Sequence, residues 1–290
     1  MTDLKGMSAV ITAGGLGTRL LPYSKEIPKE MAPIIVSDQS STVLVKPVIQ
    51  AIFEQLFDSG IRNVFTVVGR GKRAIEDHFT PDQGFIELLK SKGKGADGLA
   101  SFYDKLKKSD LVFVMQPEPL GFGDAVLRIK PYVKGRFLVH AGDTYIISEN
   151  NDYLSRLLEA HTKNRAEATI LLQQVVDTSQ FGVVTGIDLF DGVIEIKRAI
   201  EKPKNFISNI AIMPVYIFNE SIFAALESIA PGSGGELQLT DAIQLLVESG
   251  KKVLGVKLRD NEIRLDIGSP ETLMEALRTS SKYVEKGNSS

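Results

Sequence analysis

Hydrophobic residues fall along this chain in two alternating patterns. Short unbroken apolar runs at residues 7–12, 64–68, 111–115 and 136–141 read as buried strands. Between the first two, Val48, Ile49, Ile52, Phe53, Leu56 and Phe57 recur at helical spacing over residues 47–58, and Gly60 is placed to stop that helix. Residues 123–130 read as a helix between the last two runs. Strands separated by helices predict a parallel sheet joined by right-handed crossovers. Beyond residue 150 the pattern gives a helix over 153–164 and strands at 168–175, 181–187, 193–199 and 210–218. One helix then starts at Asn219-Glu220-Ser221 and another spans 239–248. Asp266-Ile267-Gly268-Ser269-Pro270-Glu271 closes a strand and opens the last helix, with Ser269 as N-cap and Pro270 in its first turn.

Three stretches fall outside the alternation. Residues 80–108 carry Lys and Gly clusters between helical patches and read as an exposed, partly mobile helical insertion. Residues 37–42 form a polar loop with no assigned role, and residues 286–290 read as a frayed tail. Composition narrows the class. A formal net charge of −2 gives no basic field to recruit nucleic acid or a membrane, so any anion site has to rest on local cations. The absence of cysteine excludes disulfides, thiolate catalysis and thiolate metal sites. No basic segment precedes an apolar run at the start, and no run approaches the ~20 residues of a membrane span, so a cytoplasmic protein is expected.

The chemistry concentrates where the first strand ends, in Ala13-Gly14-Gly15-Leu16-Gly17-Thr18-Arg19. A glycine turn after a buried strand lets backbone N–H groups close on an anion. Arg19 adds a planar fork for phosphate oxygens, and Lys29, in Ile27-Pro28-Lys29-Glu30-Met31, adds a mobile point charge. The two commonest nucleotide motifs are absent. No stretch fits G-x-x-x-x-G-K-[S/T], and Gly15-Leu16-Gly17 fails as a dinucleotide fingerprint because Leu20 stands at its third glycine. Two carboxylates are placed for a hard metal ion, Asp143 after the apolar run that ends in His140-Ala141-Gly142, and Asp266 in a D-x-G turn. On residue type alone each is equally an ordinary turn or capping aspartate, and Glu201-Lys202-Pro203 is equally an exposed turn. His78, His140 and His161 have no metal-ligand spacing and read as structural.

The run G-G-x-G-T-R at 14–19, followed by Pro28-Lys29-Glu30, resembles the sugar-1-phosphate nucleotidyltransferase family. Within it the closest likeness is to the bacterial-type UDP-glucose pyrophosphorylases. The resemblance covers residues 7–284 with its motifs in order, and departs from the family at loop 37–42 and at His140-Ala141-Gly142. It implies a Rossmann-like α/β fold, a mixed and mainly parallel sheet flanked by helices. A single domain over 1–290 would have its nucleotide part at 7–150 and its sugar part at 151–285. No C-terminal β-helix is implied, since hexapeptide repeats are missing.

The implied reaction joins UTP and glucose 1-phosphate into UDP-glucose and pyrophosphate with Mg2+ held by Asp143 and Asp266. Arg19, Lys29 and Lys202 would be the catalytic cations. The nucleotide would meet Ala13, Gly14, Gly15, Gly17, Thr18, Glu30, Gly142 and, at the base, Gln116 and Gly121. Gly182, Glu201 and Lys202 would hold the sugar phosphate. Glu30 favours the uridylyl branch, because thymidylyltransferases tend to have glutamine there. The alternatives are a thymidylyltransferase making dTDP-glucose and a non-catalytic sugar-nucleotide-binding subunit. Relatives form dimers or tetramers, so the resemblance also implies a homo-oligomer.

Overall fold

The computed structural model describes residues 4–38 and 41–287. Strand β1 (Ser8–Ala13) leads to a hairpin of β2 (Pro33–Ser37) and β3 (Val43–Pro47), then helix α1 (Val48–Asp58) and β4 (Asn63–Gly69). Three helices follow, α2 (Arg73–His78), α3 (Gln83–Ser91) and α4 (Asp97–Lys107), before β5 (Asp110–Gln116) and α5 (Phe122–Leu127). β6 (Phe137–Ala141), β7 (Thr144–Ile147) and α6 (Asp152–Lys163) precede four strands in a row. These are β8 (Ala168–Gln174), β9 (Gly182–Phe190), β10 (Val193–Glu201) and β11 (Ile210–Phe218). The chain ends with α7 (Ser221–Ser228), α8 (Leu239–Glu248), β12 (Val253–Lys257), β13 (Ile263–Asp266) and α9 (Pro270–Gly287).

Nine strands form one sheet in the order β5-β4-β1-β6-β11-β8-β12-β10-β9. β5, β4, β1 and β6 are mutually parallel, and across the whole sheet only β10 and β11 run against the rest. The first strands read as continuous apolar runs because both sheet faces are covered. In β1, Ala9 and Ile11 face a core with Ile49 and Phe53 of α1, whereas Val10 faces a second core with Val126 of α5 and Ile243 of α8. Alternation along the strand divides its side chains between the two.

The predicted strands and helices appear with shifts of a few residues at their ends. Ser269 caps α9 through Oγ, which accepts from Thr272 N at 3.3 Å. The hairpin β2–β3, the short strand β7, helix α2 and β12 did not stand out in the pattern, whereas the strand closed by Asp266 is β13. Residues 80–108 differ most from expectation. Residues 90–95 are exposed, but Phe102 of α4 is only 1% exposed and packs edge-on against Phe53 and Phe79, with ring centroids 6.0 and 5.4 Å away. Phe102, Tyr103 and Leu106 form an apolar stripe that the surrounding lysines obscure, and this face of α4 anchors the largely exposed insertion to the core. The loop at 37–42 is the hairpin tip, where Asp38 Oδ1 accepts from Thr42 N at 2.9 Å; Gln39 and Ser40 lie outside the described residues, as do 288–290 of the tail.

Candidate active site

β1 ends at buried Ala13, at the sheet edge where open α/β sheets receive ligands. The chain leaves it through a turn too crowded for side chains. A β-carbon at Gly14 would overlap Gln116 Oε1, and Gly17 takes φ +66°. The Gly17 carbonyl accepts from Leu20 N at 2.9 Å and from Ser24 Oγ at 2.7 Å, which closes the short helical turn Thr18–Leu20. Gly15, Thr18 and Arg19 are exposed on this turn. Arg19 Nη2 reaches to 3.1 Å from where a β-carbon of Gly268 would stand, beside the Asp266 carboxylate. Lys29 opens the next turn, Lys29–Met31, and its Nζ lies 3.7 Å from the β-carbon position of Gly15 while pairing with Asp143 Oδ2.

The two aspartates are distant in sequence, Asp143 in the turn just before β7 and Asp266 at the end of β13, which pairs with β7. Asp266 ends β13 opposite Thr144 of β7, and Ile267 N donates to the Asp143 carbonyl at 2.9 Å. Burial works to raise the Asp143 carboxyl, but the Lys29 ammonium holds it below the usual carboxylate range. Lys29 is pushed up in turn, first by Asp143, against its own burial, and further by Glu30 and Asp266. Asp266 goes the other way: burial and then the Asp143 charge raise it, with Arg264, Lys29 and Arg19 offsetting part of the rise. Gly142 crosses the end of β1 and donates to Thr12 O at 2.9 Å. Glu30 lies beneath it, 1% exposed, and accepts from Lys72 Nζ at 2.9 Å. Burial raises the Glu30 carboxyl, and Lys72 counters.

The loop after β5 carries the residues expected at the base. Gln116 is buried, with Nε2 donating to Asp124 Oδ2 at 2.9 Å and to the Gly121 carbonyl at 3.0 Å. Gly121 takes φ +100° because the backbone of Leu237 crosses it; Leu237 N donates to Leu120 O at 2.7 Å and Gly123 N to Leu237 O at 2.9 Å. The glycine-rich stretch 232–241 therefore seats against the loop that follows Gln116, and its far end reaches Glu201 and Gly182. Thr240 Oγ1 donates to Glu201 Oε2 at 2.7 Å, directly across from Gly182, which pairs with Glu201 between β9 and β10. Lys202 takes φ +39°, is held by its N–H on Phe181 O at 3.1 Å, and extends into solvent with Nζ 3.6 Å from Glu201 Oε1.

Thus Gly15, Arg19, Lys29, Asp143 and Asp266 form one cluster, and Gly182, Glu201 and Lys202 another. Arg264 spans the gap: its guanidinium lies 5.2 Å from the Phe181 ring centroid and donates to Gln173 Oε1 at 3.1 Å and Asp266 Oδ1 at 3.2 Å. Residues 8–282 match the family model described as nucleotidyl transferase. The chain belongs to the nucleotidyl transferase family. It is 38% identical over 250 residues to the UTP–glucose-1-phosphate uridylyltransferase of Streptococcus pneumoniae, covering 83% of this chain and 80% of that one. The corresponding enzyme of Pseudomonas aeruginosa is 32% identical over 271 residues, covering 91% and 92%. A crystal structure of UDP-glucose pyrophosphorylase complexed with UDP-glucose superposes with a TM-score of 0.82 at 30% identity, covering 97% of this chain and 99% of that one.

Nucleotidyl transferases generally use a divalent metal, and the donors here suit one. Both carboxylates are only partly exposed; burial first and the Asp143 charge second raise Asp266, and a hard cation relieves the repulsion between the two. Among the described residues no third His, Asp or Glu joins them, which suits an ion that also takes phosphate and water oxygens. The sequence reading missed three supporting residues of this nucleotidyl transferase, Lys72, Asp124 and Arg264, whereas Thr240 lies in the 232–241 segment read as a loop and helix cap near the sugar. Each of the three acts on a recognised residue through a contact distant in sequence or through a loop of unremarkable composition. Arg264 alone had a local signal, two positions before Asp266.

Proposed function

We propose that this chain transfers a uridylyl group from UTP to glucose 1-phosphate, forming UDP-glucose and releasing pyrophosphate. The observation that carries this reading is the meeting of Asp143 and Asp266 with Lys29 and Arg19 at the glycine turn. A phosphate oxygen of the sugar attacks the α-phosphorus, and the bond to the β-phosphate oxygen breaks, its electron pair leaving with pyrophosphate. A phosphate monoester is already ionised near neutral pH, so no general base is required. The barrier lies in gathering anions and in charge on the leaving group, and it falls by positioning and electrostatics.

In this reading Arg19 and Lys29 serve the triphosphate, with backbone groups from Ala13 to Thr18 around it. Glu30 supports Gly142 and Lys29 from beneath. Gln116 and Gly121 receive the base. Glu201 accepts sugar hydroxyls, Gly182 admits the ring close to the backbone, and Lys202 meets the sugar phosphate. Asp143 and Asp266 would hold Mg2+, which when bound neutralises phosphate charge and orients the phosphates. The test is pyrophosphate release by the purified protein with UTP, dTTP, CTP and GTP across several sugar 1-phosphates. Turnover with UTP and glucose 1-phosphate at the highest kcat/KM is expected; higher kcat/KM with dTTP makes it a thymidylyltransferase, and no turnover with any pair overturns the reading.

A further inference from the structure

The amide of Gln116 has only one orientation open to it. Its Nε2 donates to Asp124 Oδ2 and to the Gly121 carbonyl, and neither partner has a hydrogen to give back. Turning the amide over would set its oxygen against a carboxylate and a carbonyl in a buried site. Asp124 is itself fixed from behind, with Arg128 Nη2 3.1 Å from Oδ1 and Nε 3.3 Å from Oδ2. Gln116 Oε1 consequently points to the glycine turn, into the space where Gly14 lacks a side chain.

We propose that Asp124 is a positioning residue that sets the polarity of Gln116 and so restricts the nucleotide to pyrimidines bearing a ring N3–H. This rests on the reading above in which Gln116 meets the base. A carbonyl oxygen aimed at the glycine turn can only accept. Uracil and thymine present a donor at N3, whereas cytosine presents a lone pair there, which would face Oε1 unpaired and repelled. A buried acceptor left without its donor discriminates by about tenfold to a hundredfold. The 5-methyl group lies outside this contact, so Asp124 does not separate UTP from dTTP.

The test measures kcat/KM for UTP, dTTP and CTP, each with glucose 1-phosphate, in the full-length protein and in Asp124→Asn. Asparagine keeps the shape but can accept or donate, so only the Gly121 carbonyl is left to hold the Gln116 amide in its present orientation. The UTP-to-CTP ratio should fall about tenfold, while the UTP-to-dTTP ratio and the KM for glucose 1-phosphate stay within twofold. An unchanged UTP-to-CTP ratio, or an equal loss with all three nucleotides, overturns the proposal. Should the asparagine variant fail to fold, Asp124→Ser fits the same space, also donates and accepts, and is judged by the same ratios. Gln116→Ala separates the two levels of the argument. If it leaves the UTP-to-CTP ratio unchanged, the base assignment of Gln116 falls and this inference with it; if it collapses the ratio while the Asp124 variants do not, only this inference falls.

Discussion

The two clusters of the site are built to different degrees. At the end of β1 the charges answer one another inside the protein: Lys29 on Asp143, Arg264 on Asp266, Lys72 on Glu30, all at least largely buried. On the sugar side, Lys202 is 55% exposed and only loosely paired, and Glu201 has one oxygen held by Thr240 and the other turned toward that lysine. The difference follows the chemistry. Where several anions have to be gathered, fixed cations are worth having in place before the substrate arrives, because they need no reorganisation at the moment of reaction. Where a sugar supplies its own hydroxyls and phosphate, an open arrangement can be completed by the ligand. The preassembled cluster should therefore be the one whose variants cost most.

Asp143→Asn tests this most severely. It removes a proposed metal donor and the partner of Lys29 with almost no change of volume. A fall in kcat of about a thousandfold is expected, with circular dichroism unchanged. Activity within tenfold of the parent would show that the cluster around Lys29 is structural. Lys72→Met removes the counter-charge of a 1% exposed glutamate and should lower unfolding free energy by about 4 kcal/mol in urea titration. The same change at Lys202 should leave stability unaltered, because that pair is exposed. Equal effects of the two Lys→Met changes would erase the contrast.

How much of this was legible in the sequence divides along the same line. Strands β1, β4 and β6 announce themselves because both faces are buried and the runs are apolar, and β5, at the sheet edge, does so by its apolar run alone. β7 is four residues long, too short to carry a pattern, yet its pairing with β13 is what carries Asp266 to Asp143. The glycine turn, Arg19 and Lys29 were readable because each residue type has a local reason to be there. Glu30 was readable as a charge but not as a buried one; its burial depends on Lys72, forty-two positions away. Gln116 was readable as an amide but not as an oriented one, since Asp124 and Gly121 fix its direction through the turn into α5. Partners of this kind are set by the folded backbone, and no spacing rule links them.

The two halves should respond alike to acid, which limits the contrast to the site itself. Burial pushes His140, on β6, and His161, on α6, down to about 4. Each therefore binds its proton less readily in the folded state than in the unfolded chain, where the ordinary value is 6.5. Stability contributed by the neutral rings is complete above pH 6.5 and is lost as pH falls toward 4, levelling below that. His140 alone accounts for about 3 kcal/mol over this window. Urea titrations at pH 7 and pH 4.5 check it. His140→Gln should show a clearly smaller difference between the two pH values than the parent, and an equal difference would assign the acid loss to other groups.

The smallest expected effect is the most discriminating about the open side. Lys202 sits beyond the end of β10, its backbone tied to Phe181 O, its exposed ammonium in only a loose pair with Glu201 Oε1 at 3.6 Å. Because nothing in the protein depends on that charge, Lys202→Ala should fold as the parent does. Its loss removes one charge-assisted contact to the sugar phosphate, so the KM for glucose 1-phosphate should rise about tenfold while the KM for UTP stays within twofold. A kcat that also drops by orders of magnitude would mean that Lys202 acts on the transition state, and the sugar side would have to be counted as preassembled after all. Equal weakening of both substrates would move the lysine out of the sugar subsite and leave Glu201 and Gly182 as its remaining occupants.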